Sequence, residues 1–245
     1  MVWRVEHFEE IDSTNKWLVQ RARDGSAEGH VAMANFQSNG RGRLDRHWES
    51  PPGASLLCSV LLRPGIDAGQ LQLVVAAVAL ALRAALVRLC GVRPALKWPN
   101  DLVVDDAKLA GLLGEVVITP SGTAVVVGFG VNLTSSPSIV NSTSVLVASG
   151  VTLSARGLLD IVLEELESRR ERLDNATGRE ALRAEYEGAL ATLGQHVRVE
   201  GVGEVHVGRA RRVDDVGRLV VDVDGEMVAF FAGDVVHLRT VEGAL

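Results

Sequence analysis

The sequence predicts an α+β fold followed by a small β-barrel. Up to about residue 193, strand-like apolar runs alternate with longer runs of helical period. From residue 196 the pattern becomes alternating only, broken by glycine-containing turns. A length of 245 residues accommodates one large domain and one small module, here expected at 1–193 and 194–245.

Composition narrows the class of protein. Hydrophobic residues make up 47% of the chain and charged residues 23%, which excludes wholesale disorder and fits a soluble globular protein. A net charge of −6 gives no field that would recruit nucleic acid or an anionic membrane, so any basic site must be local. Cys58 and Cys90 are too few for a disulfide framework or a structural zinc site, and no signal-length apolar stretch opens the chain. A cytoplasmic location is the expectation.

In chain order, residues 2–8 read as a first strand, and Ser13 as the N-cap of a helix from Thr14 to about Arg23, closed by Gly25. Alternatively, Ser13, Thr14 and Asn15 present hydroxyls and free N–H groups to a polar ligand. Residues 30–36 form a strand leading into the loop 37–48, and 55–62 a strand leading out. Residues 71–90 are long and apolar, but Gln72, Arg83 and Arg88 interrupt them; this is a buried helix and not a membrane span. Pro99 and Asn100-Asp101 bring Lys97 and the Asn-Asp pair to a strand end. Another strand opens at Lys108, and residues 123–127 form a buried strand ending in a turn, Gly128-Phe129-Gly130-Val131-Asn132. An irregular Ser/Pro-rich loop is expected at 134–144, helices at 154–173 and 179–193, and barrel strands at 196–200, 204–213, 218–223, 227–231 and 234–239. Asn141-Ser142-Thr143 matches a glycosylation sequon, which is accidental in a cytosolic protein.

The loop 37–48 carries the chemistry. Gly40 and Gly42 alternate with Arg41 and Arg43, so backbone can approach an anion while guanidinium forks reach it; Arg46 adds a third fork and Trp48 a flat face for a heterocycle. With Lys97, Asn100-Asp101, Lys108 and the Gly128 to Asn132 stretch, the set suits a phosphate ester joined to a heterocycle.

These motifs, in this order, resemble the biotin protein ligases. Ser13-Thr14-Asn15, Gln37 with Gly40 to Arg43, Arg46 with Trp48, Lys97-Trp98-Pro99-Asn100-Asp101, Lys108 to Gly111 and Gly128 to Asn132 all match. Asp45 stands where the family usually has glycine, and Ser38 and Asn39 also differ from its commoner residues. The resemblance implies a mixed, largely antiparallel sheet flanked by helices, as in the class II synthetases, with a C-terminal barrel of the Src-homology type. It implies an enzyme that forms biotinyl-5′-AMP from biotin and ATP with Mg2+, then biotinylates a lysine on the carrier domain of an acyl-CoA or pyruvate carboxylase. Ser13, Thr14, Asn15, Gln37, Gly40, Arg41, Lys108 and Gly111 would serve biotin. Arg43, Arg46, Trp48, Lys97, Asn100, Gly128, Gly130 and Asn132 would serve ATP and the adenylate. Lys108, Arg41, Arg43 and Lys97 would stabilise charge during adenylation, and Asp101 would take the acceptor lysine's proton; no protein metal ligands are expected. Lipoyl or octanoyl transfer is the alternative chemistry, against which the arginine loop argues. A nucleic-acid-binding regulator is the alternative of another class; too few residues precede Ser13 for a helix-turn-helix, and a monomer or weak homodimer without DNA or membrane is expected.

Overall fold

The computed structural model describes residues 1–44, 46–135, 141–201, 204–231 and 233–238. Asp45, the middle of the 134–144 loop and the end of the last expected strand lie outside the described residues.

The first sheet contains β1 (Arg4–Ile11), β2 (His30–Gln37), β3 (Ser55–Leu62), β4 (Ala95–Lys97), β5 (Asp101–Val104), β6 (Ala107–Thr119) and β7 (Gly122–Asn132), in the spatial order β1-β2-β3-β7-β6-β5-β4. Only the β1 and β2 pair is parallel; the other pairs are antiparallel. One face is covered by α2 (Leu71–Cys90), α4 (Ala155–Arg172) and α5 (Ala176–Ala189), the other by α1 (Thr14–Arg23); α3 (Val145–Ser149) is a short turn of helix. α2 is long and apolar enough to cross a membrane by length and composition, and here it lies largely buried in the core.

Strand alternation divides these faces. On β7, Val125, Val127, Phe129 and Val131 join the core under α2 and α4, whereas Ala124 and Val126 pack under α1. Gly128, Gly130 and Asn132 continue that second set. β7 thus runs unbroken to Asn132, correcting the expected turn. The glycines serve a close approach: a Cβ on Gly128 would lie 2.3 Å from Asn15 Oδ1, and one on Gly130 2.4 Å from the Trp48 ring.

Other boundaries move for local reasons. β1 extends to Ile11 because it pairs with β2 as far as Gln37. α5 begins after Asn175, whose side chain accepts from Gly178 N–H, and stops at Ala189 because Leu190 is extended and bridges Leu96. Ser144 caps α3, so the described end of the expected irregular loop is ordered structure.

The second sheet, β8 (His196–Glu200), β9 (Val205–Val213), β10 (Leu219–Val223), β11 (Glu226–Phe230) and β12 (Asp234–His237), is antiparallel throughout in the order β11-β10-β9-β8-β12. Asp224 and Gly225, with φ of 51° and 92°, make the expected two-residue hairpin turn. Trp98, 1% exposed, fastens the sheets together: its backbone N–H donates to Thr192 Oγ1 and its indole N–H to the Gly217 carbonyl.

Candidate active site

A cavity of about 860 Å³ opens on the α1 side of the first sheet, under the loop 37–48. Cross-strand register sets its floor in rows. One row runs Ser59, Gly128, Leu113 across β3, β7 and β6. The next runs Leu57, Gly130, Gly111, Asp101, Lys97 across five strands. Asn132 lies one row further, opposite Ser55.

The first row carries a closed polar network. Thr14 N–H donates to Gln37 Oε1 at 2.7 Å, and the Thr14 and Ser59 hydroxyls lie 2.8 Å apart. Ser59 donates to Asn15 Oδ1 at 2.7 Å, and Asn15 Nδ2 donates to Glu115 Oε2 at 2.7 Å and to the Leu113 carbonyl at 3.3 Å. Glu115 also accepts from Arg41 at 3.0 Å. Ser13 is the helix cap, accepting from Lys16 N–H, and it lines the cavity too; the two expectations for it describe the same residue.

The second row is flat because Gly111 and Gly130 face each other across the β6 and β7 ladder. Trp48 lies on that floor, and the Lys108 ammonium sits 5.7 Å from its ring centroid. Lys108 pairs with Asp101 at 2.7 Å. Its backbone is pinned on both sides: Lys108 N–H donates to the Asn141 carbonyl, and Thr143 N–H to the Lys108 carbonyl. Asn132 is 2% exposed; its amide donates to the Thr143 carbonyl, while Oδ1 has no partner among the described residues. The Trp48 indole nitrogen is likewise buried and unpartnered there.

The loop is a small hairpin. Trp48 N–H donates to the Gly40 carbonyl, Gly42 N–H to the Arg46 carbonyl, and Leu44 at the tip has φ of 52°. Gly40 therefore stands at the loop's base, off the cavity wall, where a Cβ would meet the Trp48 carbonyl at 2.4 Å. Arg43 reaches Asn100 Oδ1 at 3.2 Å and the Gly233 carbonyl at 3.3 Å, and Arg46 pairs with Asp234. Burial pulls the Arg43 guanidinium below its usual range, while Asp234 and Asp101 pull it back up. Asn100 is itself locked, donating to the Leu112 carbonyl at 2.6 Å. Lys97 lines the cavity with no ion pair among the described residues. Cys58 also reaches the wall, but burial pushes its thiol up, away from the reactive thiolate.

All the sequence-nominated residues except Gly40 meet in this cavity. Sequence reasoning missed Ser59, Glu115 and Asp234. The first two had a signal: a hydroxyl in the middle of the apolar Ser55–Leu62 strand and a lone carboxylate inside the Ala107–Thr119 strand. Asp234 had none. Among the described residues no group of three or more His, Cys, Asp or Glu side chains is placed to hold a metal.

A mixed sheet, a cationic glycine loop over a glycine floor and a small antiparallel C-terminal sheet together define a class of protein-modifying ligases. The Biotin/lipoate A/B protein ligase family model matches residues 7–132, and the Biotin protein ligase C terminal domain model matches 192–238. The biotin–[acetyl-CoA-carboxylase] ligase of Mycobacterium tuberculosis is 39% identical over 97% of this chain and 90% of its own length. The bifunctional ligase/repressor BirA of Escherichia coli is 31% identical over 95% of this chain and 73% of its own. The biotin protein ligase of Aquifex aeolicus in complex with biotin and ATP shares the fold, with a TM-score of 0.77, 24% identity and coverage of 97% and 99%. The chain belongs to the biotin protein ligase family.

Proposed function

We infer that the chain activates biotin with ATP as biotinyl-5′-AMP and passes the biotinyl group to a lysine of a carrier protein, the carrier domain of an acyl-CoA or pyruvate carboxylase. The single observation that carries the residue assignment is the position of Lys108. It stands beside the glycine floor, between the closed polar network and the Asn132 end of the cavity. The network end, Ser13, Thr14, Asn15 and Gln37, suits the ureido ring, with Leu57 on the wall for its apolar part. At the other end, Trp48 offers a stacking face and the Asn132 Oδ1 an acceptor for the exocyclic amine of adenine.

Chemistry then falls at the middle. A biotin carboxylate oxygen bonds to the α-phosphorus as the bond to pyrophosphate breaks. Negative charge grows on the phosphoryl oxygens and the leaving group, where Lys108, Arg41, Arg43 and Lys97 stabilise it more than in the ground state. In the second half, a neutral lysine amine attacks the acyl carbon and AMP leaves with the bonding pair. Asp101, which pairs with Lys108, takes the amine's proton in this reading. Mg2+, when bound, would neutralise charge on the nucleotide's phosphates, and Asp101, Asp106, Glu49 and Asp234 are the wall acids that would help to hold it.

Biotin-dependent exchange of labelled pyrophosphate into ATP, run beside lipoate and octanoate, tests this reading; exchange with lipoate and none with biotin would overturn it. A cytoplasmic monomer or weak dimer without DNA binding completes the proposal. Supporting it, the loop arginines are engaged by Glu115, Asn100, Gly233 and Asp234, and the net charge is −6. A sequence-specific mobility shift that persists at physiological salt would contradict the last point.

A further inference from the structure

We propose that Glu115, which does not line the cavity, is a positioning residue that fixes the donor and acceptor direction of the biotin end and fastens Arg41 to it. The inference rests on the assignment of that end to biotin. An ionised carboxylate can only accept hydrogen bonds. Glu115 Oε2 accepts a hydrogen bond from Asn15 Nδ2 at 2.7 Å, so Asn15 must turn its Oδ1 toward Ser59. Ser59 spends its one hydroxyl proton on that oxygen, and must therefore accept from Thr14 at 2.8 Å. The 3.0 Å approach of Thr14 Oγ1 to Gln37 Oε1 is then not a donor bond; Gln37 Oε1 is served by the Thr14 backbone N–H.

Two consequences reach the cavity. The Thr14 hydroxyl keeps a lone pair for a ligand N–H. The Gln37 amide, its oxygen engaged, has an NH2 without a protein partner among the described residues to offer a ligand carbonyl. That is the complement of a cyclic urea. The same carboxylate holds Arg41 Nη1 with both oxygens, at 3.0 and 3.3 Å, so one group on β6 couples the start of α1 to the start of the loop.

Replacing the carboxylate by an amide of the same shape puts an NH2 where an acceptor was required, and either Asn15 or Arg41 must give way. In the exchange assay, Glu115→Gln should raise the KM for biotin roughly tenfold, as loss of a charge-assisted hydrogen bond does. The KM for ATP should stay within about twofold, and Tm within about 3 °C. Glu115→Ala should show the same split, and Glu115→Gln carries the test if the alanine variant fails to fold. A biotin KM within twofold of the parent in the glutamine variant, or a loss shared equally by biotin and ATP, would overturn the proposal. A parent that exchanges with lipoate instead of biotin would instead strike the reading beneath it.

Discussion

The two ends of the cavity are built on opposite principles. At the network end, Thr14, Asn15, Ser59, Gln37 and Glu115 bond to one another, all but Glu115 and Gln37 being at least nine-tenths buried or capped by the sheet. At the Trp48 end, two buried polar atoms have no partner among the described residues, and two arginines are held from the other sheet, Arg46 by Asp234 of β12 and Arg43 by the Gly233 carbonyl just before it. The first end is part of the folded core and is shaped before any ligand arrives. The second draws its order from a loop and from contacts between sheets, so it can change without unfolding anything. One site thus combines a rigid selector with an adjustable clamp.

The largest expected effect lies where the ends meet. Lys108→Ala should slow biotinyl-adenylate formation by about 10²–10³-fold in single-turnover measurement, as losing a transition-state donor does. Formation at the parental rate would remove Lys108 from the chemistry and the dividing line with it.

A sharper comparison uses two glycines on one strand. Gly128→Ala drives a Cβ toward Asn15 Oδ1, which the network holds, and should lower stability by about 1–3 kcal/mol and raise the KM for biotin. Gly130→Ala drives a Cβ into the Trp48 ring, which rides on the loop, and should raise the KM for ATP with less than about 1 kcal/mol of destabilisation. Equal losses of stability, read from urea denaturation, would erase the contrast.

Smaller still is the tie to the second sheet. Arg46 is largely exposed, so its pair with Asp234 is worth at most about 1 kcal/mol. Asp234→Ala should raise the KM for ATP by no more than about fivefold and leave biotin alone; a fall in the KM for ATP would mean that Asp234 competes with the nucleotide. The smallest effect lies outside the cavity. Burial first, then Arg4, holds the His30 imidazole below its usual range, with Glu6 opposing. The unfolded chain therefore takes up that proton first as pH falls, so His30 weakens the fold progressively below about pH 6.5 and not above it. His30→Gln should flatten that slope in Tm against pH while sparing both ends of the site.

What was legible in the sequence was local. The strings 37–48, 97–101 and 108–111 are each short and contiguous, and it is their occurrence together, in order, that makes them legible, since a single Arg-Gly loop or lysine is commonly only solvated surface. Ser59 and Glu115 act on Asn15, 44 and 100 positions away, and Asp234 on Arg46 across 188, distances at which no pattern operates. Gly128 and Gly130 misled for a physical reason: glycine usually marks a bend, and here it makes room for another side chain on a straight strand.

The ladder that lines up Leu57, Gly130, Gly111, Asp101 and Lys97 has one more consequence. Slipping β7 by a single position would bring Phe129 or Val131 to the floor and send the glycines into the core, because successive side chains alternate between faces. A misregistered molecule is then inert and poorly packed at once, so the titrated fraction of adenylate-forming molecules in a preparation doubles as a gauge of how many chains paired their strands correctly.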